Sequence, residues 1–363
     1  MRSLELETRS IGQEERVYVV AELSANHGQR LENAAEMVRA AAEAGADAIK
    51  LQTYTPDTMT IQCDGERFRV GEGSLWEGHT LYELYREAYT PWEWHPKLQR
   101  IAKSLGLDLF SAAFDPTAVD FLEEMDVPIH KVASFEIVDI PLIEHMARTG
   151  KPLVISTGMA TLGEIDEAVR TARNAGARQI ALLKCTSAYP APPEEMNLRA
   201  IPHLSETFDL PVGLSDHTLG ISASVAAVAL GACIVEKHFT LSRDVPSPDA
   251  AFSLEPHEFK AMVDAVRVAE KALGKALYEA GKQESASRVF RRSLFVVEDI
   301  EAGEVFTNGN VRSIRPGYGL PPKFLSTVLG RVAAEDVVRG TPLAWNMIGT
   351  PRCAQHMEGE ARA

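Results

Sequence analysis

The chain has 363 residues, 45% of them hydrophobic and 24% charged, with a net charge of −14. That length fits one large domain followed by a small one, and a core of this size closes without covalent staples. An acidic balance with no basic stripe excludes a nucleic-acid binder, and no run reaches the ~18 apolar residues needed to cross a bilayer.

Residues 1–15 are polar and charged and lack the apolar stretch of a secretory signal, so a cytoplasmic location is expected. The four cysteines, Cys63, Cys185, Cys233 and Cys353, form no CxxC pair and read as free thiols, with Cys185 and Cys233 in the core. An anionic substrate would need lysines and arginines gathered in one cleft to reverse the overall field.

From residue 17 to about 275 two textures alternate. Short β-branched or apolar runs predict strands at 17–21, 48–52, 107–111, 129–134, 152–157, 180–184, 211–215 and 233–238. Between them lie alanine-rich stretches of helical period, such as 31–44, 162–175 and 221–230, with glycine at the helix ends. Eight strand–helix units without a Gly-rich dinucleotide loop predict an α/β fold, a (β/α)8 TIM barrel, over a doubly wound sheet. Residues 53–95 interrupt the rhythm with a segment rich in Gly, Trp, Tyr and His, which reads as a substrate-binding lid. The barrel domain is expected over 1–280, then a linker at 281–292 whose polar part, 285–292, reads as extended. A small β-rich domain with Gly/Pro turns follows at 293–350, and a frayed tail at 351–363.

Polar residues gather at the C-terminal tips of the predicted strands. They are Glu22, Lys50, Gln52, Ser111, Lys131, Ser134, Ser156, Lys184, Ser187, Ser215, His217, Glu236 and His238. In a barrel these tips ring the active site. A single strand-end serine usually caps the next helix, but a whole ring aimed at one point reads as a site. His217 and His238 stand on neighbouring tips, ~4.8 Å apart by strand spacing. They suit an open catalytic metal site, and nitrogen and oxygen ligation without thiolate favours Mn²⁺ or Mg²⁺. Lys50 and Lys131, with serine hydroxyls around them, suit a phosphate or carboxylate, because buried lysines without an anion are costly.

These residues fall in motifs that resemble the sialic acid synthase family. They are 21–27 (AELSANH), 45–53 (GADAIKLQT), 130–134 (HKVAS), 155–159 (ISTGM), 213–218 (GLSDHT) and 236–240 (EKHFT), in order along nearly the whole chain. The segment 315–319 (RPGYG) is similar to the fingerprint of that family's antifreeze-like SAF domain. Within the family, 22–27 and the lid wording at 81–95 are most similar to the pseudaminic acid synthase branch, with the N-acetylneuraminate and legionaminate branches as alternatives.

The resemblance implies a phosphoenolpyruvate-dependent enzyme that condenses that substrate with an N-acetylated amino sugar and releases phosphate by C–O cleavage. It implies phosphoenolpyruvate contacts at Lys50, Ser111, Lys131, Ser134, Ser156, Ser187 and Ser215, a divalent metal on His217 and His238, and Glu22 and Asp249 near the reacting centre. It also implies that Arg315 enters the barrel mouth of a partner subunit, hence a domain-swapped homodimer. Two positions depart from the family's usual wording: Ala250 stands where a histidine is common, and Ser187 where asparagine is common. A Schiff-base aldolase using Lys184 or Lys131 is the rival chemistry.

Overall fold

The computed structural model describes residues 3–71 and 76–350, in two compact units, Met1–Gly274 and Lys275–Ala363. The first opens on a short antiparallel hairpin of β1 (Ser3–Glu5) and β2 (Ser10–Gly12). The composition of 1–15 did not announce it. Its two inward residues, Leu4 and Ile11, are fully buried with Tyr18 and Val20 of the barrel core.

Eight strands follow: β3 (Tyr18–Glu22), β4 (Ala48–Thr53), β5 (Asp108–Ala113), β6 (His130–Val132), β7 (Leu153–Ser156), β8 (Ile180–Cys185), β9 (Val212–Asp216) and β10 (Ile234–His238). They pair in sequence, all parallel, and β10 returns to β3, closing the expected barrel. The intervening helices are α1 (Leu31–Glu43), α2 (Pro56–Met59), α3 (Leu81–Ala88), α4 (His95–Ser104), α5 (Pro116–Glu124), α6 (Ile140–Arg148), α7 (Leu162–Asn174), α8 (Ala200–Phe208), α9 (Ser222–Ala229) and α10 (Pro256–Leu273).

Strand parity decides what reaches the middle of the barrel. Along β3, Val19 and Ala21 pack outward with Val38 of α1 and Val263 of α10, so Val20 and Glu22 face inward. Near the waist the inner layer is tight. A Cβ on Gly213 of β9 would lie 2.5 Å from the Ile234 carbonyl oxygen and 2.7 Å from Leu183, so only glycine fits between β8 and β10.

The lid segment holds α2 and α3, and α3 starts at a reciprocal capping box in which Thr80 and Glu83 each satisfy the other's backbone N–H. No described helix is long and apolar enough to cross a membrane.

The second unit is β-rich. Antiparallel β11 (Ser293–Val296) and β12 (Val311–Ile314) form one pair; β13 (Val332–Ala333) and β14 (Ile348–Gly349) form another. Leu294, Val296, Phe306, Val311 and Leu343 fill its own core. In the linker expected at 281–292 the extended reading of 285–292 is corrected: Lys282–Ala286 is a helical turn continued by a 3-10 turn at Ser287–Phe290. Its Lys, Gln, Glu and Ala are good helix formers, and the Ser285 N–H closes onto the Gly281 carbonyl at 2.8 Å. Cys63, Cys185 and Cys233 are free thiols. Cys353 and the expected tail at 351–363 lie outside the described residues.

Candidate active site

A cavity of about 750 Å³ opens at the C-terminal tips of the barrel strands. Its floor is polar. Register sets His238, Glu22 and Lys50 side by side on β10, β3 and β4. Lys50 Nζ lies 3.0 Å from Glu22 Oε2 and 3.1 Å from Glu236 Oε1, and all three side chains are buried. Ser215 donates to Glu236 Oε1 at 2.9 Å, and Gln52 donates to Glu22 Oε1 at 3.1 Å.

Two carboxylates share one cation here, and their proton affinities separate. Burial raises Glu22 above the ordinary carboxylate range, and the charge on Glu236 adds to it, against the pull of Lys50. Burial also works against the Glu236 charge, but Lys50 and Lys131 together hold that carboxyl low. Glu22 is therefore the group suited to carry a proton, and Glu236 the fixed counter-charge.

Lys131 is the second cation. Its Nζ donates to Ser156 Oγ at 2.7 Å and to the Val132 carbonyl at 2.9 Å. An ammonium has three donors, so one remains for a ligand. Burial pushes Lys131 down to about 8, which an arriving anion would reverse. Beside it the Gly158 N–H donates to Ser134 Oγ at 3.2 Å. A Cβ on Gly158 would fall 2.2 Å from Ser187 Oγ and 2.7 Å from Ser134 Oγ. The bare backbone of Gly158 thus lets Ser134 and Ser187 approach it closely; Ser134 lines the cavity and Ser187, expected there, does not.

The two histidines meet as expected. Their ring centroids are 5.3 Å apart. His217 Nδ1 sits 3.0 Å from the Thr186 carbonyl, which places the proton there and leaves Nε2 a lone pair. His238 Nδ1 is buried with no hydrogen-bond partner in the described structure, and burial first, then His217, keeps this ring neutral. Asp249 Oδ2 accepts from Ser24 and lies 3.7 Å from His238 Nδ1. Among the described residues no cluster of three or more His, Cys, Asp or Glu is arranged to hold a metal. The fit is instead that of two adjacent imidazoles, one with an orphaned nitrogen, which leaves the other positions of a divalent ion to substrate and water.

Parity corrects two members of the expected ring. Ser111 pairs in register with Leu51, on the helix-facing side of the barrel. Its hydroxyl meets Thr53 Oγ1 at 2.6 Å, and Thr53 in turn meets His95 Nε2 at 2.9 Å. Lys184 also faces outward and donates to the Cys185 carbonyl at 2.7 Å. Neither lines the cavity. Cys185, expected in the core, does line it, with Sγ 3.9 Å from His217 Nδ1. Ala250 is buried in the 3-10 turn that brings the Phe252 ring to 4.8 Å from His238. Arg315 follows β12 in the second unit.

The lid expected over 53–95 supplies most of the upper wall. Tyr54, Leu81, Leu84, Tyr85 and Phe114 form an apolar side to the cavity. Tyr54 stacks edge-on to both Tyr85 and Phe114 at 5.7 and 5.2 Å. Glu136 was missed. It lines the cavity from the 3-10 turn after β6, with Oε2 unpartnered, and burial pushes it up to about 7. The signal for Tyr85 and its neighbours was the Thr80–Glu83 capping box, which starts a helix inside the lid.

Sequence comparison addresses the same residues. The profile of the NeuB family matches residues 37–278, and that of the SAF domain matches 291–349. The chain belongs to the NeuB family. This NeuB-family chain is 46% identical to the pseudaminic acid synthase of Campylobacter jejuni over 91% of its own length and 96% of that protein's. It is 45% identical to the pseudaminic acid synthase of Helicobacter pylori, over 90% and 96%. Identity to the N,N'-diacetyllegionaminic acid synthase of Legionella pneumophila is 37%, over 91% and 94%. Among solved structures, the N-acetylneuraminic acid synthetase of Leptospira borgpetersenii superposes with a TM-score of 0.70 at 32% identity, over 79% of this chain and 95% of that one.

Proposed function

We propose that this NeuB-family enzyme is a pseudaminic acid synthase. It would condense phosphoenolpyruvate with the open-chain aldehyde of 2,4-diacetamido-2,4,6-trideoxy-L-altrose and water, giving pseudaminic acid and phosphate. The observation that carries the reading is the two-sided cavity. A floor of Lys50, Lys131 and serine hydroxyls suits a small polyanion, and the lid wall of Tyr54, Leu81, Leu84 and Tyr85 suits the deoxy carbon and acetamido methyls of such a sugar. Greater identity to pseudaminic than to legionaminic acid synthases supports the branch.

The chemistry follows from the charges. Lys50, Lys131, Ser134, Ser156 and Ser215 hold the phosphate and carboxylate of phosphoenolpyruvate and aim its methylene carbon at the aldehyde. A divalent metal, Mn²⁺ or Mg²⁺, held by His217 and His238 would polarise the aldehyde oxygen. As the new C–C bond forms, positive charge grows on the enol carbon, and the fixed Glu236 carboxylate stabilises it. Water adds at that carbon, and the C–O bond to phosphate breaks. Glu22, buried with its affinity for a proton raised, gives and takes the protons. Asp249, tied to Ser24 beside His238, faces the sugar. The same reading makes the protein a cytoplasmic homodimer in which Arg315 of one subunit completes the barrel mouth of the other.

The test is a panel of N-acetylmannosamine, the 6-deoxy diacetamido altrose and its legionaminate-type isomer, each with phosphoenolpyruvate, scored for phosphate release. Preference for the altrose is expected. Preference for another sugar moves the protein to that branch. Borohydride trapping of substrate on Lys131 would replace the mechanism with a Schiff-base one.

A further inference from the structure

Behind the two histidines, on the outer face of the barrel, lies a buried ion pair that the chemistry above does not use. Asp216 and Lys237 stand in register on β9 and β10. Both side chains are 0% exposed, and Lys237 Nζ lies 3.0 Å from Asp216 Oδ2. Both oxygens of Asp216 and two of the three donors of Lys237 are spent locally. Asp216 Oδ1 accepts the Thr218 N–H at 2.9 Å and its hydroxyl at 2.8 Å. Asp216 Oδ2 accepts from Ser224 of α9 at 2.7 Å. Lys237 also donates to the Thr218 carbonyl.

Such a pair is a poor device for stability alone, because desolvating two charges offsets most of their attraction and apolar residues of like volume do as well. What it does here is geometric. His217 sits between Asp216 and Thr218, and His238 follows Lys237. One carboxylate closes the turn that carries His217, and one ammonium ties that same turn to the strand that carries His238. The two tips are thereby cross-linked from behind, while both imidazoles stay free to face the cavity.

We propose that Asp216 and Lys237 are positioning residues that set the spacing and orientation of His217 and His238. The inference rests on the reading of those histidines as the metal site. Outer partners of metal ligands typically change metal affinity by about 10–100-fold when removed.

The test is the double variant Asp216→Asn/Lys237→Met, which removes both charges together and keeps the volume, so no unpaired charge is left buried. Two quantities are read on the metal-stripped protein: hydrogen exchange at the Thr218 amide, and Mn²⁺ affinity by calorimetry, with urea unfolding as the reference for global stability. The expected result is a urea midpoint near that of the parent, faster exchange at Thr218, and Mn²⁺ binding weakened about 10–100-fold, with the Michaelis constant for phosphoenolpyruvate unchanged. Parent-like exchange, or faster exchange with parent-like Mn²⁺ affinity, overturns the proposal. If the double variant does not fold, Thr218→Val removes one hydroxyl bond only and should shift both readings in the same direction by a smaller factor; no shift overturns it. A parent protein that binds no Mn²⁺ would defeat the metal reading instead, and the exchange reading would still decide whether the pair holds the turn.

Discussion

Lys131 shows how one side chain can be both structural and ready for a ligand. Two of its three donors are used, on Ser156 and Val132, and the third is left toward the cavity. Lys131→Met should therefore cost kcat/KM for phosphoenolpyruvate by about 1.5–3 kcal/mol, the range for a hydrogen bond to a charged group. Steady-state kinetics at saturating sugar measures it, and an unchanged value removes Lys131 from the anion site. Glu136 carries a second prediction. Its carboxyl is raised to about 7, first by burial. A carboxyl raised on folding binds its proton more tightly in the native state, so its contribution to stability is greatest below the unfolded value and falls as pH rises from about 4.5 to about 7. Glu136→Gln should flatten that decline by about 2–3 kcal/mol, seen as urea midpoints at pH 5 and pH 8 that lie closer together than in the parent. An equal pH slope in both proteins would contradict the raised carboxyl.

At the scale of elements, β9 is tightly confined. Its Gly213 faces the barrel axis where the Ile234 carbonyl and Leu183 leave no room for a methyl group. Gly213→Ala should destabilise the barrel by about 1–3 kcal/mol, the cost of overpacking a filled interior. Because Ser215 and His217 stand two and four residues further on, the same change should lower activity as well, and chemical denaturation paired with an activity assay separates the two effects. Unaltered stability would mean that β9 can shift outward. The lid illustrates the opposite case. Helix α3 buries no residue fully and is held by its capping box and by the rings of Tyr54 and Tyr85. Leu84→Ser should leave the fold intact and reduce the preference for the deoxy sugar by several-fold, because a wall that hydrogen-bonds no longer rejects a hydroxyl.

At the scale of the whole molecule, the proposal of shared sites turns on Arg315. Mixing an inactive Arg315→Ala protein with an inactive His238→Ala protein, under conditions that let subunits exchange, should restore activity. In a heterodimer with exchanged small domains, one site carries both lesions and the other carries neither. If Arg315 serves its own barrel, each site keeps one lesion and the mixture stays inactive.

The barrel was legible because period is a one-dimensional property. Eight apolar runs alternating with alanine-rich helices appear in the chain order in which they pair, and the polar tips of Lys50, Lys131, Ser215, His217 and His238 lie where such a fold places its site. Ser111 and Lys184 were not legible. Whether a strand-end residue faces the axis or the helices depends on register, and a shift of one residue reverses every side chain. Leu51 fixes Ser111 outward only once β4 and β5 are paired. The hairpin of β1 and β2 escaped because three-residue strands are too short to show a period; Leu4 and Ile11 are seen to matter only when the core that buries them exists. The contrast between Glu22 and Glu236 is tertiary as well. Both are glutamates at strand ends, and only their burial and their surroundings of Lys50 and Lys131 raise the proton affinity of one and lower that of the other.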